Sequence, residues 1–388
     1  MGDPVPSAAI YDATTGGRSV IVITGGATGD VLTQQANGTY AAVTPAGGVS
    51  GTGSVDNAVL RADGTGGATL QNSSFVITDN ATASPNNTVN HASLQVTGGT
   101  TNVSVSIVPK GTGAFTLSVP DGTTVGGNAR GENAIDLQIS RASASQVASG
   151  DQCVAIGTRN TASGATTIAI GRNNSATVYD SVAIGHINTG SFGGVAIGYW
   201  NISPNAGVAI GQENQSIANY AIAIGYQCVA SGWGAFAWGQ QALANQRGML
   251  AHAVGRFAQS GDAQSFAIKS RNITTSAVAT ELFLNGSSER FAIASGNVMS
   301  ALVRVVGVKS DGSEVIKFLR DVTIKNVGGT TSLESAVVTI GTDINASGAT
   351  LDLSEDNTND SLKIAITPPA GTWRWMATVE GINIAYGS

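Results

Sequence analysis

Val154-Ala155-Ile156-Gly157 is the first of eight near-copies of one four-residue stretch, with glycines at Gly157, Gly171, Gly185, Gly198, Gly211, Gly225, Gly239 and Gly255. Successive glycines lie 14, 14, 13, 13, 14, 14 and 16 residues apart. Helical hairpins and propeller blades need repeats of roughly 33–50 residues, so a period of about 14 excludes both. Two short strands and two tight turns do fit. The spacing predicts one coil of a β-solenoid per copy.

Alanine stands two residues before each glycine, at Ala155, Ala169, Ala183, Ala196, Ala209, Ala223, Ala237 and Ala253. Something packs too closely there for a larger side chain. Val, Ile or, late in the array, Phe236, Trp238, His252 and Val254 flank the alanine. Strand alternation sends these to the opposite face. Each strand is expected to fill its own coil with one face. The other, lined by alanine, should meet a neighbouring surface, for which a second chain is the natural candidate. Three residues after the glycine stand Asn160, Asn174, Asn188, Asn201 and Asn214, then Cys228, Ala242 and Ala258. Asparagine suits a turn or a stacked side-chain ladder. Because Cys and Ala replace it, a strict left-handed backbone is not required, which favours the ladder. Five residues after the glycine every copy is small, and the first two positions after it vary freely, as in Tyr199-Trp200 and Gln212-Glu213. These positions read as solvent-facing corners.

With these features the array, about residues 150–270, resembles the SVAIG-type head repeats of trimeric adhesins, which also occur in phage fibres. The resemblance implies a left-handed parallel β-roll in which three chains pack together. A leading serine is missing from most copies, two periods are short and one is long.

Before the array, residues 29–40 and 57–65 read as short hairpins with Asn37-Gly38 and Asp63-Gly64 at their turns. Gly/Ser/Thr-rich linkers join them, giving a single chain little to fold around. Residues 54–67, and Val108-Pro109-Lys110-Gly111-Thr112-Gly113, are similar to stretches of phage tail fibre shafts. After residue 275, alternating runs at 301–308, 315–324, 335–340 and 361–367 predict a compact antiparallel sandwich. The closing residues 371–387 resemble C-terminal domains of phage tail fibres. The resulting expectation is an all-β homotrimeric fibre. It has a virion-attachment segment (1–50), an intertwined shaft (51–148), a β-roll (149–275) and a globular β-sandwich tip (276–388). Its partners would be phage tail or baseplate proteins at the N-terminus and a host surface polysaccharide or outer-membrane receptor.

Composition narrows the function. Asp, Glu, Lys and Arg make up only 11% of the chain, where about 25% is usual. Hydrophobic residues reach 42%, which argues against disorder. A net charge of −6 gives no attraction to nucleic acid or anionic lipid. No apolar run approaches the roughly 18–20 residues that span a bilayer, and the first ten residues lack a signal-peptide pattern.

Cys153 and Cys228 read as small buried hydrophobes. His91, His186 and His252 are too dispersed for a metal or nucleophile site, and His252 is expected to be buried. Nothing calls for a cofactor. Glycan cleavage needs two carboxylates flanking the bond. Asp151, Glu213 and Asp262, and the Glu355, Asp356 and Asp360 cluster, read instead as solvated surface charge, and no catalytic residue is assigned. Sugar faces stack on exposed aromatic rings, which singles out Tyr199, Trp200, Trp233, Trp373, Trp375 and Tyr386, with Trp238 beside them. Trp373 and Trp375 share a strand face and could equally be core; Tyr199-Trp200 is the pair expected to be exposed. The rivals to an attachment fibre are a polysaccharide-degrading tailspike, a structural virion fibre and a bacterial trimeric adhesin.

Overall fold

A computed structural model describes residues 106–386 in full and, within residues 1–105, the backbone of seven strands. Two compact units divide at residues 107 and 108. In the first, Val31–Gln34 pairs antiparallel with Tyr40–Val43. Ala58–Ala62 pairs with Leu70–Asn80, which pairs with His91–Val96. The proposed attachment segment and the intertwining of the shaft otherwise lie outside the described residues, as does the His91 side chain.

The second unit is all-β, with no helix among the described residues. Its repeat forms eight parallel coils. Their long strands run from Val154–Thr158 to Leu250–Val254, each hydrogen-bonded to the next in register, Gly157 opposite Gly171 opposite Gly185. Two-residue strands such as Thr161–Ala162 and Ser175–Ala176 stack in a second parallel sheet. The glycines are required twice over. Gly198 has φ +121°, and a Cβ there would stand 2.1 Å from the Gly211 carbonyl oxygen of the next coil. No L side chain fits either demand.

Two expectations need correction. The alanines face the interior of their own coil: Ala155, Ala169, Ala183 and Ala196 are fully buried within one chain, together with Ala162, Ala176 and Ser203 across the roll. The coil is so thin that only small side chains fill it. The bulky residues point outward, and Val154, Ile156, Ile168 and Ile170 are half-buried. The face left for a neighbour is therefore the Val/Ile face, not the alanine face. The eighth coil also keeps the period of 14: Ala251 pairs with Ala237 and Ala253 with Gly239. Ala253 takes the glycine slot, tolerated because no coil stacks beyond it, and Gly255 lies outside the strand. His252, opposite Trp238, consequently sits half-buried on the outer face and stacks on that ring at 5.3 Å, rather than in the core.

The asparagine ladder is present. Asn188 Oδ1 accepts from the backbone N–H and the side-chain amide of Asn201, both at 3.0 Å. Its own amide donates to Asn174 Oδ1, Ile184 O and Gly198 O. Every polar atom of a fully buried side chain is thus paired, as burial demands. Cys228 receives the end of the ladder, its N–H donating to Asn214 Oδ1. Burial raises the thiols of both cysteines, that of Cys153 to about 11.

The stack begins before residue 149. Ile135–Ser140 pairs parallel with the first coil and Phe115–Thr116 pairs with it in turn. Asp136 occupies the alanine slot, fully buried, with Arg130 at 2.6 Å and Arg141 at 3.1 Å. A buried charge persists only when so paired. Gln138 Oε1 accepts from the Asn160 N–H and starts the ladder. At the other end Ala263–Thr274 pairs antiparallel with Leu250–Val254 and closes the roll. That strand continues the sheet into Trp373–Ala385, Asn297–Lys309 and Val315–Val327. A second antiparallel sheet, Thr280–Glu281 with Ser361–Thr367 and Thr350–Asp356, shares its buried cluster with the first, around Phe318, Ile364, Trp373 and Val303.

Candidate receptor-binding surface

The backbone of each coil fixes its corners and leaves their side chains free. The second residue after the glycine is left-handed in coil after coil: Arg159, Asn173, Ile187, Trp200, Glu213, Gln227 and Gln241 have φ between 53° and 63°. Such a conformation costs about 1–3 kcal/mol for a non-glycine residue and persists only where its surroundings impose it. Here an inter-coil bond does so, for example Trp200 N–H to His186 O at 3.0 Å and Glu213 N–H to Tyr199 O at 2.8 Å. The constraint lies in the main chain, so residue identity at the corner can vary.

Tyr199 and Trp200 occupy one such corner. Trp200 is 51% exposed, and its ring centroid lies 5.8 Å from that of Tyr199, which in turn lies 5.3 Å from His186. Beside them runs a chain of amides: Gln212 and Gln227 donate to the two oxygens of Glu213, and Gln241 donates to Gln227. These donors hold the Glu213 carboxyl below the usual range. Trp200, Glu213, Gln227, Val229 and Arg256 line a groove of roughly 380 Å³. An aromatic face, two amides and a carboxylate in one groove can stack on and hydrogen-bond a polyhydroxylated ligand.

The opposite corner carries a second aromatic row. Tyr179 meets Phe192 edge-on at 5.8 Å, and Tyr220 meets Trp233 edge-on at 5.6 Å, all four exposed. Arg247 lies 4.6 Å over the Trp233 ring and is held at 2.5 Å by Glu289 of the C-terminal region.

Of the other candidates, Trp373 and Trp375 are core, 0% and 2% exposed, with their rings 5.5 Å apart. Neither ring offers a face to a ligand. Trp238 is half-buried on the outer face. Tyr386 is exposed, its hydroxyl donating to Asn326 O, and it lines a cavity other than the Trp200 groove. Tyr199, Trp200 and Trp233 thus share the roll surface, while Tyr386 stands apart. Tyr179, Phe192 and Tyr220 were missed, although their recurrence just before successive strands marks a corner.

The acidic residues also separate. Asp262 is not surface charge: it is 3% exposed and accepts from the N–H groups of Phe257, Ala258 and Gln259. Asp356 pairs with Arg290 at 3.4 Å and caps the loop at Thr358 and Asn359. No cluster of three potential metal ligands occurs among the described residues.

An alanine interior, a glycine-gated corner and a buried asparagine ladder in parallel coils define a β-roll of the adhesin-head type. The family model of the YadA head domain repeat matches residues 148–174, 162–186 and 206–227 of this chain. No curated protein sequence matches it. Two solved structures are similar at very low level. The Acinetobacter phage vB_ApiP_P1 tailspike protein shares 9% identity at a TM-score of 0.22, over 67% of this chain and 58% of its own. Tailspike protein gp49 of Acinetobacter baumannii bacteriophage Fri1, a capsular polysaccharide depolymerase, shares 8% at 0.21, over 69% and 56%. The chain therefore spans little more than half the length of either, and such scores carry no argument about its function.

Proposed function

We propose that the chain is a homotrimeric phage tail fibre that attaches the virion to a host cell surface by binding surface glycan. The observation that carries the reading is a rigid, uniform stack whose variable corners display exposed aromatics beside amides, with Tyr199 and Trp200 foremost. The sequence resemblances at 54–67, 108–113 and 371–387 support a virion fibre rather than a bacterial surface protein. In this reading residues 1–50 attach to the tail or baseplate, 51–148 form the shaft, whose last strands, Phe115–Thr116 and Ile135–Ser140, already stack on the roll, 149–275 form a left-handed roll and 276–388 a sandwich tip.

Trimer formation is supported by the outer face of the long-strand sheet. A soluble monomer seldom shows a contiguous apolar patch beyond a few hundred Å². Here Val and Ile line six coils, Phe236, Trp238 and Leu250 the last two, and the same face continues through Leu302, Met376, Ile382 and Ile384, these four exposed in a single chain. The reading is non-enzymatic. Glu213 is the one carboxylate lining the Trp200 groove, and glycoside cleavage takes two.

Light scattering followed by a host-cell binding assay tests the proposal. The expected result is a mass of three chains, cell binding, and binding reduced at least tenfold in the trimer, order of magnitude, by Trp200→Ala with Tyr199→Ala, because three weak sites act together. A monomer, or a trimer that binds no cells, overturns it. Release of reducing sugar from host polysaccharide makes the protein a tailspike enzyme instead.

A further inference from the structure

The groove beside Trp200 carries two opposite charges that do not meet. Glu213 comes from the corner of the fifth coil and Arg256 from the loop after the eighth, and both line the groove. Gln212 and Gln227 donate to the two Glu213 oxygens at 2.9 and 2.6 Å. Each carboxylate oxygen keeps a further lone pair for a ligand hydroxyl. Arg256 is exposed. Arg247, Arg290 and Arg320 each hold a carboxylate, whereas Arg256 makes no ion pair among the described residues.

An unpaired arginine on an open face is ordinarily just solvated. This one lines a groove that also presents the half-exposed Trp200 ring, with Ile202 and Val229 beneath it. Its loop is also pinned. The buried Asp262 carboxylate accepts from the N–H groups of Phe257, Ala258 and Gln259 at 2.9, 2.6 and 2.7 Å. Arg256 and Asp262 attract each other, but the Asp262 oxygens are taken by the backbone. The guanidinium fork is left for a carboxylate from outside, the group its planar donors match. Glu213 repels such a carboxylate and so directs it to the Arg256 side of the groove.

Strand parity leaves the groove open in a trimer. Ile202 and Val229 begin the short strands Ile202–Ser203 and Val229–Ala230. Ser203 and Ala230 are fully buried in the coil, so Ile202 and Val229 point out of the second sheet. That side lies away from the long-strand face through which three chains pack. The net charge of −6 gives an acidic ligand no long-range attraction. Selection for one must come from contact.

We infer that this groove takes a sugar unit bearing a carboxylate, its ring stacked on Trp200, its hydroxyls donating to Glu213, and its carboxylate paired with Arg256. The inference rests on the glycan-attachment reading and adds to it the charge class of the glycan, with Arg256 as the residue that sets it. The test measures binding of the full chain to the purified surface polysaccharide of the host, immobilised either as isolated or with its carboxyl groups converted to neutral amides. The carboxylated form should bind about tenfold more tightly or better. Arg256→Gln should erase that preference. Arg256→Lys, which keeps the charge without the fork, should retain part of it. Trp200→Ala should weaken binding to both forms. The inference is overturned if the two forms bind equally, if the polysaccharide that binds has no carboxyl group, or if Arg256→Gln keeps the parent's preference. A chain that adheres to host cells but shows any of these results loses the acidic class and keeps the attachment function. A chain that adheres to no cells fails the attachment reading itself.

Discussion

The roll and the C-terminal region belong to one continuous sheet, yet they are held together differently. The roll interior is alanine, serine and asparagine, and each alanine methyl contributes roughly 0.8 kcal/mol on burial. The C-terminal core contains Trp373, Trp375 and Phe318, and a buried tryptophan of about 150–250 Å² contributes roughly 4–6 kcal/mol. What the roll lacks in side-chain burial it makes up in repetition: the same strand pairing and the same ladder recur in coil after coil. One region depends on volume and the other on register.

The sharpest way to break this contrast is Gly198→Ala. In most structures that change is mild, but here the Cβ meets the next coil's carbonyl oxygen at 2.1 Å on a left-handed backbone. The expected loss exceeds about 4 kcal/mol, read as the loss of a cooperative thermal transition by circular dichroism; a shift of only a few degrees would show that the coils yield. Trp375→Ala should cost about 3–5 kcal/mol by cavity creation, visible in denaturant unfolding followed by near-UV signal from the C-terminal region. Here a register-held roll predicts that the parallel coils keep their own transition.

Asn188→Ala comes next. It strips the ladder of three donated and two accepted bonds. An expected cost of about 2–3 kcal/mol follows from the groups left unpaired. Because Ala242 already occupies the equivalent position, the same substitution at Cys228 should be nearly neutral, and thermal melts of the two variants give the comparison.

The smallest effect is that of Asp262. Burial pushes its carboxyl up, but the N–H groups of Ala258, Gln259 and Phe257 outweigh this and hold it below the usual aspartate range. Its contribution is therefore complete above the unfolded value, near pH 4, and is lost as pH falls through the depressed folded value. Hydrogen exchange at residues 257–262 should quicken across that acid window, and Asp262→Asn should remove the pH dependence.

Much of the roll could be read from sequence because its constraints repeat. Eight glycine markers gave the coil number, and five asparagines gave the ladder. Alternation, however, fixes which residues share a face and not which way the face points. Alanine suits a thin interior and a close interface equally, so the two faces were exchanged. Counting by glycine moved the last coil to Gly255, because the glycine requirement disappears where no further coil stacks on Ala253. The coil at Ile135–Ser140 was hidden by Asp136, a charge in an interior slot that only Arg130 and Arg141 make tolerable. The corner pair Tyr199-Trp200 was legible as a break in a regular pattern. The cavity beside Tyr386 was not, since Gln246, Phe291, Asp360 and Tyr386 come together only through long-range pairing of non-repeating strands.

The antiparallel strand that closes the roll also decides how the molecule bears a load. Within the roll, neighbouring long strands are joined over five residue pairs, and their hydrogen bonds lie along the stacking direction. A pull on that axis is shared by all the bonds of a joint at once and by the chain that winds through every corner. The joint to Ala263–Thr274 spans three pairs, from Leu250 to His252. Under tension that seam is expected to part first, detaching the C-terminal region as a unit while the coils remain wound, and single-molecule pulling would record it as the earliest rupture.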